Sequence, residues 1–346
     1  MKLLKHWLRG ITIFESQSNY ITTSMRLYRL PFSVFILTAL LLSVVQINSD
    51  NPLLLAERFI RNGGWVEIAL IAFYASIVAY HMQNPMHVPG WRRITWTLFS
   101  VVFFSQLLLG LAGMDKFLMT GKLHLPIPMM ILAGPVYRGQ LSVMTVLFLS
   151  TVVLTGPAWC SHLCYFGAID NTLSLGRLEK GRLKNRVAIK STLLLLVIVI
   201  TLLLKWMNIP VLLATLLAVG FGIAGIAVMF FFSRKKGKMV HCIVYCPIGT
   251  LVNLFKRVNP FRLYIDTGCT QCMKCTGYCR YDALEAADIE RKRPGITCTL
   301  CGDCLAGCSH NSIHYRFFRL RPENARNLYL LLTISLHAAC LALARI

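Results

Sequence analysis

A chain of 346 residues that is 56% hydrophobic and only 14% charged falls well short of the roughly one quarter charged residues of a soluble protein. Its apolar residues form long uncharged runs, which excludes a simple water-soluble domain. The formal net charge of +22 invites a nucleic-acid partner, but the Lys and Arg residues lie in short segments between apolar runs, where membrane topology puts them, so no nucleic acid is expected.

Residues 1–29 carry Lys2, Lys5, Arg9, Arg26 and Arg29 against Glu15, and Leu3, Leu4, Trp7, Leu8 and Ile11 follow helical spacing. This pattern predicts an interfacial helix on the membrane surface, with a solvated tail as the alternative. Membrane lipid is therefore an expected partner. A membrane domain follows over residues 30–260, with spans at about 30–47, 65–82, 94–114, 139–159, 187–204 and 206–232. A seventh span, at 327–344, lies in the C-terminal segment 318–346. Each is near the ~20 residues a bilayer requires. The turn "KWMNIP" joining the fifth and sixth predicts an antiparallel hairpin.

Counting Lys and Arg sets the orientation. With the N-terminus inside, the inner segments hold the five residues above, then Arg92 and Arg93, then six over 157–190, then a dense set beyond Arg234. The outer segments hold Arg58, Arg61, Lys116, Lys122, Arg138 and Lys205. The bias places the N-terminus and every cysteine except Cys340 on the cytoplasmic side.

Residues 115–138 are too apolar for a water-exposed loop, and Pro126, Pro128 and Pro135 prevent one long helix, so a re-entrant or interfacial segment is expected. Glu67 and Asp115 fall near the outer ends of their spans. Acids at membrane depth serve proton relays, and a quinol that loses two electrons also loses two protons. Glu67, Asp115, Lys122 and His124 are therefore the candidate quinone and proton site, against a reading as ordinary interfacial charge. His337 lies deep in the last span. Only His81 offers a second axial group, so no haem is expected.

Twelve of the thirteen cysteines fall in patterns. "WCSHLCYFGAIDN" follows the fourth span and "HCIVYCPIGTLVN" the sixth; each has C-x3-C, then a small-residue turn ending in Asn. This reads as an internal duplication with both copies at one membrane face. Cys160, Cys164, Cys242 and Cys246 would then meet in a four-sulfur site, a third iron–sulfur or other metal centre. Redox-active thiols and inert structural cysteines are the alternatives. His162 and His241 adjoin these cysteines.

Residues 261–317 hold "CTQCMKCTGYC" and "CTLCGDCLAGC", two complete C-x2-C-x2-C-x3-C runs of the kind that binds [4Fe–4S] clusters, the fourth cysteine of each serving the other cluster. One cluster is assigned to Cys269, Cys272, Cys275 and Cys308, the other to Cys298, Cys301, Cys304 and Cys279. Structural zinc would favour paired C-x2-C separated by a long gap. Arg280 and Ser309 stand where a Pro usually follows the fourth cysteine.

Several spans, two C-x3-C motifs after membrane helices and a two-run ferredoxin segment resemble the polyferredoxin-like membrane electron-transfer family. That family includes the membrane quinol dehydrogenase subunit of periplasmic nitrate reductase systems and the C-terminal part of the nitrous oxide reductase regulator. The resemblance covers about residues 90–317. Cys160 and Cys164 match the first C-x3-C, and Cys242, Cys246 and Pro247 the second; Tyr165 replaces the Pro expected after Cys164. It implies a bacterial inner-membrane protein exchanging electrons between the quinone pool and a periplasmic or cytoplasmic electron-transfer protein, or other redox subunits of a membrane complex.

The expected architecture is an α-helical polytopic membrane protein of about seven transmembrane helices, with a small α+β two-cluster ferredoxin-like domain on the cytoplasmic side. The expected function is quinol dehydrogenase-like electron transfer. The alternatives are a metal-ion (copper) reductase or assembly factor, for which Met86 and His87 are the hint, and an iron–sulfur redox sensor. No Gly-rich nucleotide-binding fingerprint is present.

Overall fold

The computed structural model describes residues 28–49, 52–117, 127–176, 178–179 and 181–343. The N-terminal segment up to residue 27, Lys122 and His124 lie outside the described residues. Among the described residues, seven helices are long and apolar enough to cross a membrane, which makes this a membrane protein.

Helix α1 (Tyr28–Asn48) leads through a short α2 (Leu55–Phe59) to α3 (Gly63–Met82). The chain turns over Pro85–His87 into α4 (Val88–Leu111). A half-length α5 (Met130–Arg138) precedes α6 (Val143–Thr155), which continues through a tight turn into a π-turn at Trp159–Leu163 and then α7 (Tyr165–Leu173). Next come α8 (Arg186–Trp206), α9 (Val211–Val228), a π-turn at Met229–Ser233, α10 (Arg234–Lys236), a further π-turn at His241–Tyr245 and α11 (Pro247–Phe255). Strand β1 (Arg262–Ile265), helices α12 (Ala286–Glu290) and α13 (Asp303–Ala306) and strand β2 (Ile313–Arg316) carry the two long cysteine runs, and α14 (Pro322–Leu343) closes the chain. The strands pair antiparallel, Leu263 opposite Tyr315 and Ile265 opposite Ile313.

Helices α3 and α14 approach closely because the facing positions are small: Ala72, Ala75 and Ala79 against Ala338, Ala339 and Ala342, all buried. Without water to drive association, such small-residue seams let backbones meet in a membrane. Leu30 and Val34 of α1 cover the seam. By contrast, only 17% of the apolar windows of α8 and α9 are buried inside the protein, against 56% for α14. Leu195, Leu202, Leu212 and Leu216 are left facing outward, as lipid-facing residues are.

Three sequence expectations shift here. The third span starts earlier than residue 94, since Arg92 and Arg93 lie within α4 and Arg92 is buried. Its charge therefore belongs to an internal ion pair rather than to a loop. The fourth span starts and ends later than 139–159, because Ser142 caps α6 and a π-turn carries the path on to Leu163. Although α8 and α9 are joined by a short turn at Asn208, whose φ is +52°, α8 makes its close approaches to α5 and α11 rather than to α9. Helix α5 accommodates Pro135 in a single short helix and is tied to that turn by Tyr137 Oη donating to Ile209 O at 2.5 Å.

Candidate metal centres

Both C-x3-C motifs fold the same way. A five-residue π-turn ends when the amide of the second cysteine bonds five residues back, Cys164 to Trp159 O at 3.0 Å and Cys246 to His241 O at 2.8 Å. That cysteine is extended and starts a nine-residue helix, α7 or α11. Each pair thus sits on a π-turn, a departure from the regular α-helix that recurs at functional sites.

The surroundings repeat too. Helix α4 packs on α7 as α8 packs on α11. Arg92 and Trp96 of α4 stand where Arg186 and Lys190 stand in α8. Gly167 of α7 and Gly249 of α11 leave room for the second member of each pair: a methyl group on Gly167 would come within 2.5 Å of the Trp96 ring, and one on Gly249 within 2.6 Å of Lys190 Nζ. Trp96 Nε1 donates to Cys164 O at 2.8 Å, and Lys190 Nζ to Cys242 O at 2.8 Å.

Cys160, Cys164, Cys242 and Cys246 are thereby brought into one another's field. Burial and the neighbouring thiols push the Cys164 thiol up; burial, Asp170 and the other thiols do so for Cys242. Burial raises Cys246 as well, opposed by the Lys190 ammonium. Asp170 accepts the Cys242 amide at 3.0 Å. His162 is turned away to Ser161 Oγ at 2.9 Å, whereas His241 Nδ1 is buried without a partner. His337 does not reach the site: its ring nitrogens meet His162 O and the Tyr74 hydroxyl.

The two long runs form two cavities. One is walled by Cys269, Cys272, Cys275 and Cys308 among Ile265, Ile289 and Ile313. The other is walled by Cys279, Cys298, Cys301 and Cys304 among Leu263, Leu284 and Tyr281. These are the same two sets that the spacing pairs. The loops match residue for residue. Gln271 and Leu300 take φ of +54° and +60°, Met273 and Gly302 +61° and +83°, Asp282 and Asn311 +55° and +49°. Left-handed backbone at non-glycine residues is costly and persists only where the surroundings dictate it. The fourth cysteine of each run accepts a backbone bond at Sγ, from Ala283 N at 3.3 Å and Ser312 N at 3.2 Å, as cluster thiolates do.

Burial pushes Cys275 up to about 11 and Cys279 up to about 12, so thiolates in these cavities require a compensating cation. Among the described residues, no three His, Cys, Asp or Glu side chains converge as a single metal ion needs. A cubane does not ask this of its ligands, since each thiolate binds its own iron. The donor chemistry, cavity walls and sulfur-directed amides fit [4Fe–4S] groups.

Charged pairs clamp this unit to the helices. Arg92 holds Asp303, between Cys301 and Cys304, with Nε and Nη2 at 2.8 and 2.5 Å, and also reaches Ser161 O and Asn171. At the equivalent place in the second half, Arg186 holds Asp282 at 3.0 Å, which also pairs with Lys238 at 2.6 Å. Arg280, in the place of the usual Pro, donates to Gly176 O and Gly237 O. Tyr281 lines the second cavity, and its hydroxyl donates to Cys160 O at 2.6 Å. Cys242, Cys279 and Cys301 all pack against the Trp96–Met239–Ile243–Tyr281 cluster. Arg92, Arg186, Lys190 and Tyr281 were not singled out from sequence as site residues. Aligning the helices that precede the two C-x3-C motifs would have exposed the first three.

Glu67 and Asp115 lie at the other end of the bundle, the length of α4 away, about 36 Å at 1.5 Å per residue. Glu67 Oε2 accepts the Ala56 amide at 2.7 Å. Asp115 opens a turn tied to α2 through Arg58 Nη1 donating to Lys116 O at 3.0 Å.

The family described as "4Fe-4S binding domain" matches residues 140–182 and 214–263. Each segment carries one C-x3-C pair, and the eight cysteines of the long runs lie beyond both. An iron–sulfur electron-transfer role is what such a domain indicates. Two proteins of Methanocaldococcus jannaschii described as uncharacterized, MJ0749 and MJ0750, are similar. The first is 24% identical, covering 48% of this chain and 66% of its own length. The second is 20% identical, covering 65% and 94%. No solved structure matches.

Proposed function

We propose that this protein passes electrons between the quinone pool and a redox partner, in the manner of a membrane quinol dehydrogenase, on the inner membrane of a bacterium. The supporting observation is the contiguity of three four-cysteine groups, with Tyr281 in the wall of one and bonded to the backbone of another. Cys269, Cys272, Cys275 and Cys308 would hold one [4Fe–4S] group, Cys279, Cys298, Cys301 and Cys304 a second, and Cys160, Cys164, Cys242 and Cys246 a third. Each such group supplies a one-electron carrier. Arg92 and Arg186 hold the ferredoxin-like unit against the helices. The lysine- and arginine-rich end is read as cytoplasmic.

Glu67, Asp115, Lys122 and His124 are retained as the quinone and proton site. Their distance from the cysteine end makes this part of the reading separately testable. The deciding experiment is electron paramagnetic resonance of the anaerobic, dithionite-reduced protein after addition of a water-soluble quinone. Rapid loss of the reduced-cluster signals is expected; signals that persist would overturn the quinone reading.

One observation favours a second reading, reduction of a metal ion such as copper for insertion into a metalloenzyme. The His81 and His87 rings lie 6.3 Å apart, His81 is stacked on Trp91, and the exposed Met86 shares the turn that packs against α13. Signals discharged by Cu(II) and not by quinone would select it.

A further inference from the structure

Lys190 is an ammonium within a membrane-spanning helix, 5% exposed. No carboxylate pairs with it among the described residues. A buried charge of this kind is expensive without a counter-charge. The anion-forming groups around it are sulfurs: Cys246, Cys160 and Cys242 set an attractive field at its tip, with the Arg186 guanidinium opposing, and its ammonium donates to Cys242 O at 2.8 Å. The duplication supplies a control. In the first half the corresponding space above the glycine is filled by the Trp96 indole, which also donates to a cysteine carbonyl. Cys160 O, the counterpart of Cys242 O, takes the neutral Tyr281 hydroxyl instead, so the packing and the carbonyl's hydrogen bond are both met without charge in the first half, and what Lys190 adds is the positive charge.

We propose that Lys190 is the counter-charge of the third centre, offsetting its anionic sulfurs and favouring its reduced form. This rests on the reading of Cys160, Cys164, Cys242 and Cys246 as a ligand set. On reduction the centre gains one electron from the titrant, dithionite, which is oxidised, and no proton need move. An adjacent cation stabilises the more negative state. In a buried site, a unit charge a few ångströms away changes such an equilibrium by tenfold or more. Lys190 is a positioning and electrostatic residue, and Gly249 is the notch that admits it.

The test compares the full-length protein with K190M, K190Q and K190R. Iron and sulfide content are measured, and each signal is followed in a redox titration. In K190M the third signal should titrate at least tenfold less favourably, a fall of about 59 mV for a one-electron couple, while the two ferredoxin-type signals keep their midpoints. K190R should retain most of the wild-type value. Loss of the third signal alone in K190M, with retention in K190R, also supports the proposal. An unchanged midpoint in K190M overturns it, as does equal loss in K190M and K190R. If K190M does not insert, K190Q is read by the same criteria. Wild-type protein with iron for two clusters and no third signal would instead overturn the third-centre reading itself.

Discussion

The guanidinium of Arg92, in the third span, and the carboxylate of Asp303, between two cysteines of the second run, form a two-pronged ion pair although 211 residues separate them. The side chains are 2% and 8% exposed. Their pairing fixes the ferredoxin-like unit on the membrane helices, and the surrounding bonds to Ser161 and Asn171 leave little of the guanidinium unsatisfied.

Removing one member strands the other. R92M should destabilise the docked unit by about 3–5 kcal/mol, whereas R92M combined with D303L should recover much of the loss. Limited proteolysis of the segment after Arg257, and thermal unfolding followed by cluster absorbance, check both.

The interleaved cavities predict which substitutions act together. C279S should abolish the same cluster signal as C301S, although Cys279 belongs to the first run, and C308S the same signal as C272S. Each should lower iron by about four per chain. Pairing by run instead of by cavity would appear as C279S grouping with C272S.

Gly167 sits under the Trp96 ring. G167A introduces a methyl group where the ring stands 2.5 Å away, so overpacking of about 1–3 kcal/mol is expected. The Trp96 bond to Cys164 O should weaken as well. The measurements are the thermal midpoint and the tryptophan fluorescence, with W96F/G167A predicted to be milder than G167A alone.

Glu67 is the accessible test of the proposed quinone site. E67Q keeps an acceptor for the Ala56 amide while removing the carboxylate. Reoxidation of the reduced clusters by quinone should slow about a hundredfold or more, with iron content and cluster midpoints unchanged at the distant cysteine end. Wild-type rates in E67Q would show that quinone reacts elsewhere.

The hairpin of β1 and β2 carries an acid-sensitive pair. His314 Nε2 meets Asp266 Oδ2 at 2.9 Å and, with the Gly268 amide, holds the Asp266 carboxyl below its usual value of 3.8. A depressed carboxylate contributes stability above its unfolded value and loses it as pH falls through its folded one. Hydrogen exchange at Ile313 and Tyr315 should therefore rise as pH falls below 3.8 toward the depressed value of Asp266. In H314Q the loss should be smaller and complete at a higher pH, because without His314 the Asp266 carboxyl is depressed less.

Cysteine spacing marked the same two groups of four that wall the two cavities, because in paired C-x2-C-x2-C-x3-C runs the fourth cysteine of each serves the other cluster. Length and hydropathy likewise marked the seven spans, since a bilayer demands about twenty apolar residues whatever they pack against. The pairing of each charge was not legible. Arg92 reads as a loop residue because a basic residue near a span end normally snorkels to water, and only the docked Asp303 keeps it inside. Lys190 reads as one more basic residue at a span start for the same reason. The π-turns also escape a periodicity argument, as five residues are too few to shift a pattern. The sequence alone determined which atoms can hold iron and which segments can enter a membrane, both being matters of local spacing and composition. The tertiary structure decided which charges are buried beside which sulfurs, because burial and pairing depend on the approach of segments far apart in the chain.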